Sequence, residues 1–313
     1  MDKNNSNLPK VSIITPTYNK KNFFKLAIHN FLSFEYPVDK LEWIILDDGD
    51  ESIKDILPND SRIKYYYYSK EIKEQIHKSF IESYKKKKEE YNKLSKKNKK
   101  GKKYKLLKDH KKSFKGNRLP IGMKRNICVQ YATTDYIIHM DDDDYYPPNS
   151  ILHRVNELLL QQKNNNSTDS IESFSCIGCS TIGAFHINKM ISIMYTPSVE
   201  YSAAKKISVA TLAYTKNFWN ENHFENQDII NEGEYFLRKR KCYEINWKNV
   251  IVALFHSKND QNIRMFNNLT ESNGWHFGPL SDDLFTLIVN LDINANKDIN
   301  ENKDVKKLEE LAQ

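Results

Sequence analysis

Residues 10–50 contain a strand-like run, a helical pattern and a second strand-like run, in that order. KVSIITPTYN holds a β-branched run that stops at Pro16, which is typical of a buried strand entering a loop. KNFFKLAIHNFLSF repeats apolar residues every three or four positions, the period of a helix packed on one face. LEWIILDDGD is a second apolar run and ends in acids. A strand, helix and strand in this order predict a parallel βαβ unit, and so an α/β fold with a mainly parallel central sheet flanked by helices.

Acidic residues follow two of the predicted strands. A third strand is expected at residues 62–68, a helix over GMKRNICVQYA, and a fourth strand in DYIIHMDDDD. The carboxyl ends of strands one, two and four are then followed by TPTYN, by Asp47 with Asp48, and by the run Asp141 to Asp144. Functional sites of such sheets form along this edge, so the sequence predicts an acidic site there.

Four consecutive aspartates after an apolar strand need a compensating cation, because like charges repel and burial adds a desolvation cost. Carboxylate oxygens are suited to a hard divalent cation, which in turn neutralises a diphosphate. Side chains alternate along a strand, so Asp141 and Asp143 are expected to converge while Asp142 faces elsewhere.

The net charge of +7 comes from one segment. Between Ser69 and Arg118, 20 lysines and arginines stand against 6 acids, whereas the rest of the chain has more acids than bases. Apolar residues from Ile72 to Tyr84 recur at a helical spacing, which predicts one or two amphipathic helices and then a basic loop. Two interpretations stay open: a surface insertion without a partner, or a surface for nucleic acid, phospholipid or an acidic glycan.

Four ordered motifs, VSIITPTYN, WIILDDGD, GMKRN and ATTDYIIHMDDDDYYPP, together resemble glycosyltransferase family 2, which has the GT-A fold. The resemblance implies a transferase that uses a nucleotide-diphospho-sugar and Mn²⁺ or Mg²⁺. It implies that Pro16 and Tyr18 contact the nucleotide base, and that Asp48, with Asp47 as a further candidate, hydrogen-bonds it. Arg125 and Asn126 match the pair of residues that lies beside the nucleotide sugar in the family.

The resemblance also assigns the acidic run. Asp141 and Asp143 correspond to the D-x-D motif of the family, and Asp144 is a second acidic position that some members use for the metal. Asp142 departs from the small residue usual there, which leaves the ligand set open. We assign Asp141 and Asp142 to the nucleotide sugar and Asp143, Asp144 and His256 to the metal; His256 directly follows an apolar strand-like run.

A carboxylate in the second half is expected to act as the catalytic base. Family members that invert the anomeric carbon place it at the start of a helix, about six residues before an arginine. In NQDIINEGEYFLRKRK both Glu232 and Glu234 satisfy this spacing, to Arg238 and Arg240. Glu232 is slightly favoured, because apolar residues then follow where relatives carry them.

The expected function is inverting transfer of a hexose, with a UDP-sugar as the expected donor, to a hydroxyl of a glycan or glycoprotein. Two other classes stay open. A nucleotidyltransferase would carry a glycine-rich phosphate loop near its first strand, and TPTYN has no glycine. A non-catalytic nucleotide- or nucleic-acid-binding protein would tolerate loss of both glutamates.

One catalytic domain is expected over residues 1–282, containing the 69–118 insertion, with a polar helix or tail over 283–313. The four cysteines include one C-x-x-C pair without a second pair, which favours reduced thiols over a zinc site. The polar N-terminal segment and the lack of a membrane-spanning apolar run predict a cytoplasmic protein, with peripheral membrane attachment through the lysines left open.

Overall fold

The computed structural model describes residues 7–93, 118–164, 174–226, 232–256 and 270–292. Its strands are β1 (Val11–Thr17), β2 (Leu41–Asp47), β3 (Ile63–Tyr67), β4 (Tyr136–His139), β5 (Cys176–Gly178), β6 (Ile182–His186), β7 (Ile191–Tyr195), β8 (Ala213–Thr215), β9 (Tyr243–Glu244) and β10 (Val252–Phe255). Its α-helices are α1 (Phe24–Ser33), α2 (Lys70–Lys93), α3 (Ile121–Tyr131), α4 (Ser150–Asn164), α5 (Ala203–Lys206), α6 (Lys216–Glu221), α7 (Glu232–Leu237) and α8 (Asp282–Val289).

A mixed sheet of seven strands in the order β3-β2-β1-β4-β8-β5-β9 forms the centre of the fold. Strands β1 to β4 pair in parallel, and β8 runs antiparallel to both of its neighbours. Every residue of β1 is buried, as expected for a central strand covered on both faces. The predicted βαβ unit, the third strand and the mainly parallel sheet are confirmed.

Strand β4 ends at His139, before the acidic run begins. The alternation of strand side chains therefore does not extend into residues 141–144, so it gives no reason for Asp141 and Asp143 to converge, and their convergence stays a prediction. Each of these two carboxylates contacts a different basic group, as described below.

A second sheet has the strand order β10-β6-β7. Its strand β10 is hydrogen-bonded to the end of the acidic run. Tyr145 and Val252 exchange two backbone hydrogen bonds of 3.1 and 2.8 Å, an isolated antiparallel bridge. One residue earlier, the Asp144 carboxylate accepts a 2.9 Å hydrogen bond from the Leu254 amide. Residues 144–145 and β10 are thus held together, which brings His256, just after β10, to the same edge.

The predicted helix in the basic segment is confirmed for its first part, since α2 covers 70–93. The basic loop expected after it lies outside the described residues. Lys73 is buried, and its Nζ donates a 2.6 Å hydrogen bond to the carbonyl of Asp48. The start of the segment therefore packs against the end of β2, and the segment's boundaries and its anionic partner stay predictions.

Helix α8 begins one residue before the predicted tail. Ser281 accepts a hydrogen bond from the Leu284 amide as the N-cap, and Leu284 and Ile288 are buried against Phe23 and Leu26 of the α1 region. Residues 282–292 thus pack on the fold, and the tail beyond 292 lies outside the described residues. No helix in the described part of the chain is long and apolar enough to cross a bilayer.

Gly122, in the first turn of α3, allows a close approach of the chain. A Cβ at this position would meet the carbonyl oxygen of Glu225 and lie 3.3 Å from the Cβ of Phe224. We expect Gly122→Ala to reduce the free energy of unfolding by about 1–3 kcal/mol, because the 224–225 backbone would have to move away from the helix. Urea denaturation would measure this. Gln130→Ala, at an exposed position of the same helix, is the matched control and should have an effect near zero; equal effects would contradict the steric explanation.

Candidate active site

The carboxyl ends of β1, β2 and β4 surround a cluster of buried charges. Asp48 is fully buried, and its Oδ1 accepts a 2.8 Å hydrogen bond from Lys124 Nζ. Its Oδ2 accepts from the Leu119 amide. Lys124 also donates to the Thr17 carbonyl at 3.2 Å. Asp48, predicted to hydrogen-bond the nucleotide base, is therefore positioned by the first turn of α3.

Asp47, the second candidate for the base, stabilises the turn after β2. Its Oδ1 accepts from the Gly49 amide at 2.8 Å, and its Oδ2 accepts from the Ile53 amide at 3.2 Å and from the Tyr65 hydroxyl at 2.6 Å. Burial and the hydrogen bond to Asp47 raise the pKa of Tyr65, so this hydroxyl stays a donor. The geometry gives Asp47 an architectural role.

Tyr18 lies directly after β1, beside two lysines that sequence reasoning did not select. The Nζ atoms of Lys73 and Lys124 lie 5.9 and 5.8 Å from the centroid of its ring. Burial and the neighbouring acids Asp50 and Asp48 raise the pKa of Tyr18. Pro16 lies within β1 and is buried. This end of the site presents a half-buried aromatic ring flanked by two cations.

Arg125 joins the acidic run to the second half of the chain. Its Nε donates to Glu232 Oε1 at 2.9 Å, and its Nη1 donates to Asp141 Oδ1 at 3.2 Å. The second carboxylate oxygen of Glu232, Oε2, is buried and has no hydrogen-bond partner among the described residues. Burial raises the pKa of Glu232, while Arg125 opposes this. Glu232 is thus a carboxylate oriented by Arg125 through one oxygen, with its other oxygen buried.

His139 fixes the orientation of Arg125. Its Nδ1 lies 3.1 Å from Arg125 Nη1, and its Nε2 lies 2.9 Å from the Tyr214 hydroxyl. A guanidinium only donates, so Nδ1 is the acceptor and the proton of the neutral ring is on Nε2. Burial, with the charges of Arg125 and Arg154, lowers the pKa of His139, in agreement with a neutral ring. Sequence reasoning did not select this histidine.

Glu234, the alternative base, is half-buried and points away from this chain of contacts, because two residues in a helix are about 200° apart around its axis. Arg240, the arginine six residues after Glu234, donates to the carbonyls of Phe218 and Phe236, and its guanidinium lies 3.6 Å from the centroid of the Phe218 ring. The structure brings Glu232, and not Glu234, to Arg125.

Asp143 meets His256 and a lysine. Its Oδ2 lies 3.2 Å from His256 Nε2 and 3.0 Å from Lys20 Nζ. Burial raises the pKa of Asp143, but the hydrogen bond from His256 and the charge of Lys20 outweigh it and lower the pKa to about 2. The His256 ring packs against Phe23, with 3.9 Å between ring centroids. Asp143 is therefore an ionised carboxylate held between two nitrogen groups.

The remaining two aspartates of the run are Asp142, which is buried, and Asp144, which is half-buried. Burial and the Asp143 charge raise the pKa of Asp142 to about 7 and also raise the pKa of Asp144. Asp144 holds the Leu254 amide, and its backbone carbonyl accepts from Asn30 Nδ2 at 2.8 Å. Asp144 thus links the run to β10 and α1.

The donor set around Asp143 fits a divalent cation whose other ligands come from outside the protein. No three His, Cys, Asp or Glu side chains in the described ranges form a ready-made metal cluster. Asp143 and His256 supply one carboxylate oxygen and one imidazole nitrogen 3.2 Å apart, a pair that suits Mn²⁺. Cations at nucleotide sites are commonly held by one or two protein ligands together with water and phosphate oxygens.

Asn126, predicted to lie beside the nucleotide sugar, holds protein groups. Its Nδ2 donates to the Phe224 carbonyl and to Asn226 Oδ1, and its Oδ1 accepts from Trp219 Nε1 and the Phe224 amide. These four hydrogen bonds use both donors and both lone pairs of the amide. Asn126 therefore fixes the segment 219–226 onto α3, next to Arg125.

All four cysteines are free. Cys176 and Cys179 do not form part of a metal cluster with other described residues. Burial raises the pKa of Cys179 to about 12, so its thiol is an unreactive core group.

No protein-family model and no curated protein matches the chain. The crystal structure of S. aureus TarS 1-349 in complex with UDP-GlcNAc is 12% identical, with a TM-score of 0.45 over 96% of this chain and 76% of that chain. The mannosyltransferase PcManGT from Pyrobaculum calidifontis, in complex with GDP-Man and Mn²⁺, is 11% identical, with a TM-score of 0.46 over 94% and 72% of the two chains. Similarity at this level assigns neither family nor activity, so membership of glycosyltransferase family 2 stays a prediction.

Proposed function

We propose that this chain is a metal-dependent glycosyltransferase of the GT-A fold that transfers a hexose from a nucleotide-diphospho-sugar, with a UDP-sugar as the expected donor, to an acceptor hydroxyl of a glycan or glycoprotein with inversion. The observation that carries the proposal is the Arg125 bridge. It places Glu232, from the second half of the chain, beside Asp141 of the acidic run. A candidate base and a candidate cation site thereby share one sheet edge.

Glu232 is the proposed general base. An acceptor hydroxyl must lose its proton as it attacks the anomeric carbon, and a carboxylate within hydrogen-bond reach can accept it. Glu232 Oε1 is held by Arg125, and Oε2 is the oxygen without a described partner. Its raised pKa brings its basicity closer to that needed for proton transfer near neutral pH.

The nucleotide is proposed to bind at the other end of this edge. Tyr18 offers an aromatic face for the base, and Lys73 and Lys124 add positive charge next to it. Asp47 and Asp48 are proposed to hold this end of the site in shape, because their carboxylates already accept protein hydrogen bonds.

Asp143 and His256 are the residues that would hold Mn²⁺ or Mg²⁺. Bound there, the cation would supply positive charge to the departing diphosphate. Asp141 and Asp142 are proposed to face the donor. Asp144, the third residue assigned to the metal, already accepts a hydrogen bond from the Leu254 amide with its Oδ1.

The test is slow hydrolysis of UDP-, GDP-, dTDP- and CMP-sugars by the purified protein, with Mn²⁺ present or chelated, alongside thermal shift. We expect one nucleotide class to raise the melting temperature with Mn²⁺ and to release free sugar, and Asp143→Ala to abolish the release. Asp55→Ala removes an exposed acid that pairs with Lys21 and is the matched control. No shift with any donor, or equal turnover by Asp143→Ala, would sink the proposed function; binding without hydrolysis and without transfer to any acceptor would favour a non-catalytic nucleotide-binding protein.

A further inference from the structure

The cation site of the proposed enzyme contains a positive charge belonging to the chain itself. Lys20 Nζ lies 3.0 Å from Asp143 Oδ2, the same oxygen that His256 approaches at 3.2 Å. The ammonium also lies 5.1 Å from the centroid of Phe23, whose ring packs on His256. The lysine side chain is only 18% exposed, so this is a partly desolvated ion pair and not a surface contact.

The backbone before Lys20 is fixed in a conformation that aims it at the acidic run. Asn19 has a φ of 53°, in the left-handed region that asparagine tolerates better than most residues. Its side chain is joined to Asp50 by two hydrogen bonds, Nδ2 to Asp50 Oδ2 at 2.7 Å and the Asp50 amide to Oδ1 at 2.8 Å. The Lys20 carbonyl then accepts from the Phe24 amide at the start of α1. The loop after β1 is therefore held on both sides of Lys20.

We propose that Lys20 is a tethered counter-ion that competes with the divalent cation for Asp143, and so keeps metal affinity low until a donor binds. The inference rests on the proposed function for the cation site. A divalent ion bound to Asp143 would lie close to the Lys20 ammonium that pairs with the same carboxylate, and two positive centres so close repel each other. With one carboxylate and one imidazole from the protein, the ion would take its remaining ligands from water and from the diphosphate.

The consequence is linked binding of metal and nucleotide. Lys20 would have to move away from Asp143 to admit the metal alone, and among the described residues Asp143 and His256 would be the only protein ligands gained. With a diphosphate present, phosphate oxygens would add to these ligands, and the displaced ammonium would face an added negative charge. The free protein should therefore bind Mn²⁺ weakly, and Lys20 should set how weakly.

The test is direct Mn²⁺ titration of the nucleotide-free protein by electron paramagnetic resonance of unbound Mn²⁺, with no activity measurement. We expect Lys20→Met to bind Mn²⁺ at least about tenfold more tightly than the parent, because a charge next to the ligand oxygen is gone. Lys20→Arg should stay close to the parent. Lys21→Met is the matched control: it removes the same charge from the adjacent residue, whose partner Asp55 is exposed, and should leave Mn²⁺ affinity unchanged. Adding Asp143→Asn to Lys20→Met should abolish the gain.

Equal affinity in Lys20→Met and Lys21→Met, weaker binding in Lys20→Met, or no measurable Mn²⁺ binding by Lys20→Met would each overturn the proposal. Melting temperatures of all variants identify a failure to fold, in which case Lys20→Gln replaces Lys20→Met. The outcome is separate from that of the proposed function. A parent protein that turns over a donor while Lys20→Met gains no affinity refutes only the competition, and a gain in affinity in a protein without turnover refutes only the transferase.

Discussion

Glu232→Gln should lower kcat by about 10²–10⁴-fold while leaving binding of the nucleotide sugar close to that of the parent. Glutamine keeps a side-chain oxygen that can accept from Arg125 Nε, so the local geometry survives. It cannot take a proton from an acceptor hydroxyl, so only the chemical step is lost. Single-turnover transfer to acceptor, with donor affinity measured by calorimetry, would separate the two quantities.

Glu234→Gln is the matched control for this result. It lies two residues further on in α7, carries the same change of charge, and is half-buried. We expect an effect of less than about fivefold on kcat, because the side chain does not approach Arg125. A low kcat in Glu234→Gln together with a kcat close to that of the parent in Glu232→Gln would reverse the assignment of the base. No loss of function in either variant would indicate a non-catalytic protein.

Lys124→Met should reduce the free energy of unfolding by about 3–5 kcal/mol, because it leaves the Asp48 carboxylate buried without its cation. The side chains of Lys124 and Asp48 are 5% and 0% exposed, and Lys124 Nζ lies 2.8 Å from Asp48 Oδ1. The variant also removes the hydrogen bond to the Thr17 carbonyl at the end of β1. Urea unfolding monitored by circular dichroism would measure the loss.

Lys21→Met provides the comparison, since the ion pair of Lys21 with Asp55 is exposed and should contribute less than about 1 kcal/mol to the free energy of unfolding. Adding Asp48→Asn to Lys124→Met should recover part of the loss, because the amide no longer carries an unpaired charge. Equal losses in Lys124→Met and Lys21→Met would show that burial does not strengthen the Asp48 pair.

The first strands and the helix between them followed from local sequence. A β-branched run is buried on both faces of a parallel sheet, and an apolar residue every three or four positions packs one side of a helix. Those patterns placed β1, α1, β2, β3 and α3 in the right order. They also located the acidic edge, because parallel strands bring their carboxyl ends together.

Local patterns did not separate Asp47 from Asp48, or Glu232 from Glu234. In each pair the residues are chemically alike and adjacent or nearly so, and their roles depend on what packs against them. Asp47 accepts from the loop that follows it, whereas Asp48 pairs with Lys124, 76 residues away. The spacing to a later arginine fitted both glutamates, and only the contact with Arg125 distinguished them.

The order of the elements and the edge at which the acids gather could be predicted from the chain alone, since both depend on the period of apolar residues along it. The partners of the charged groups depend on packing: Arg125 pairs with Glu232 across 107 residues, His256 with Asp143 across 113, and Lys20 with the same carboxylate across 123. A charge in the chain has no preferred partner until packing removes water from around it. Burial then makes the energy of each pair depend on a few ångströms of distance, which no spacing in the sequence encodes.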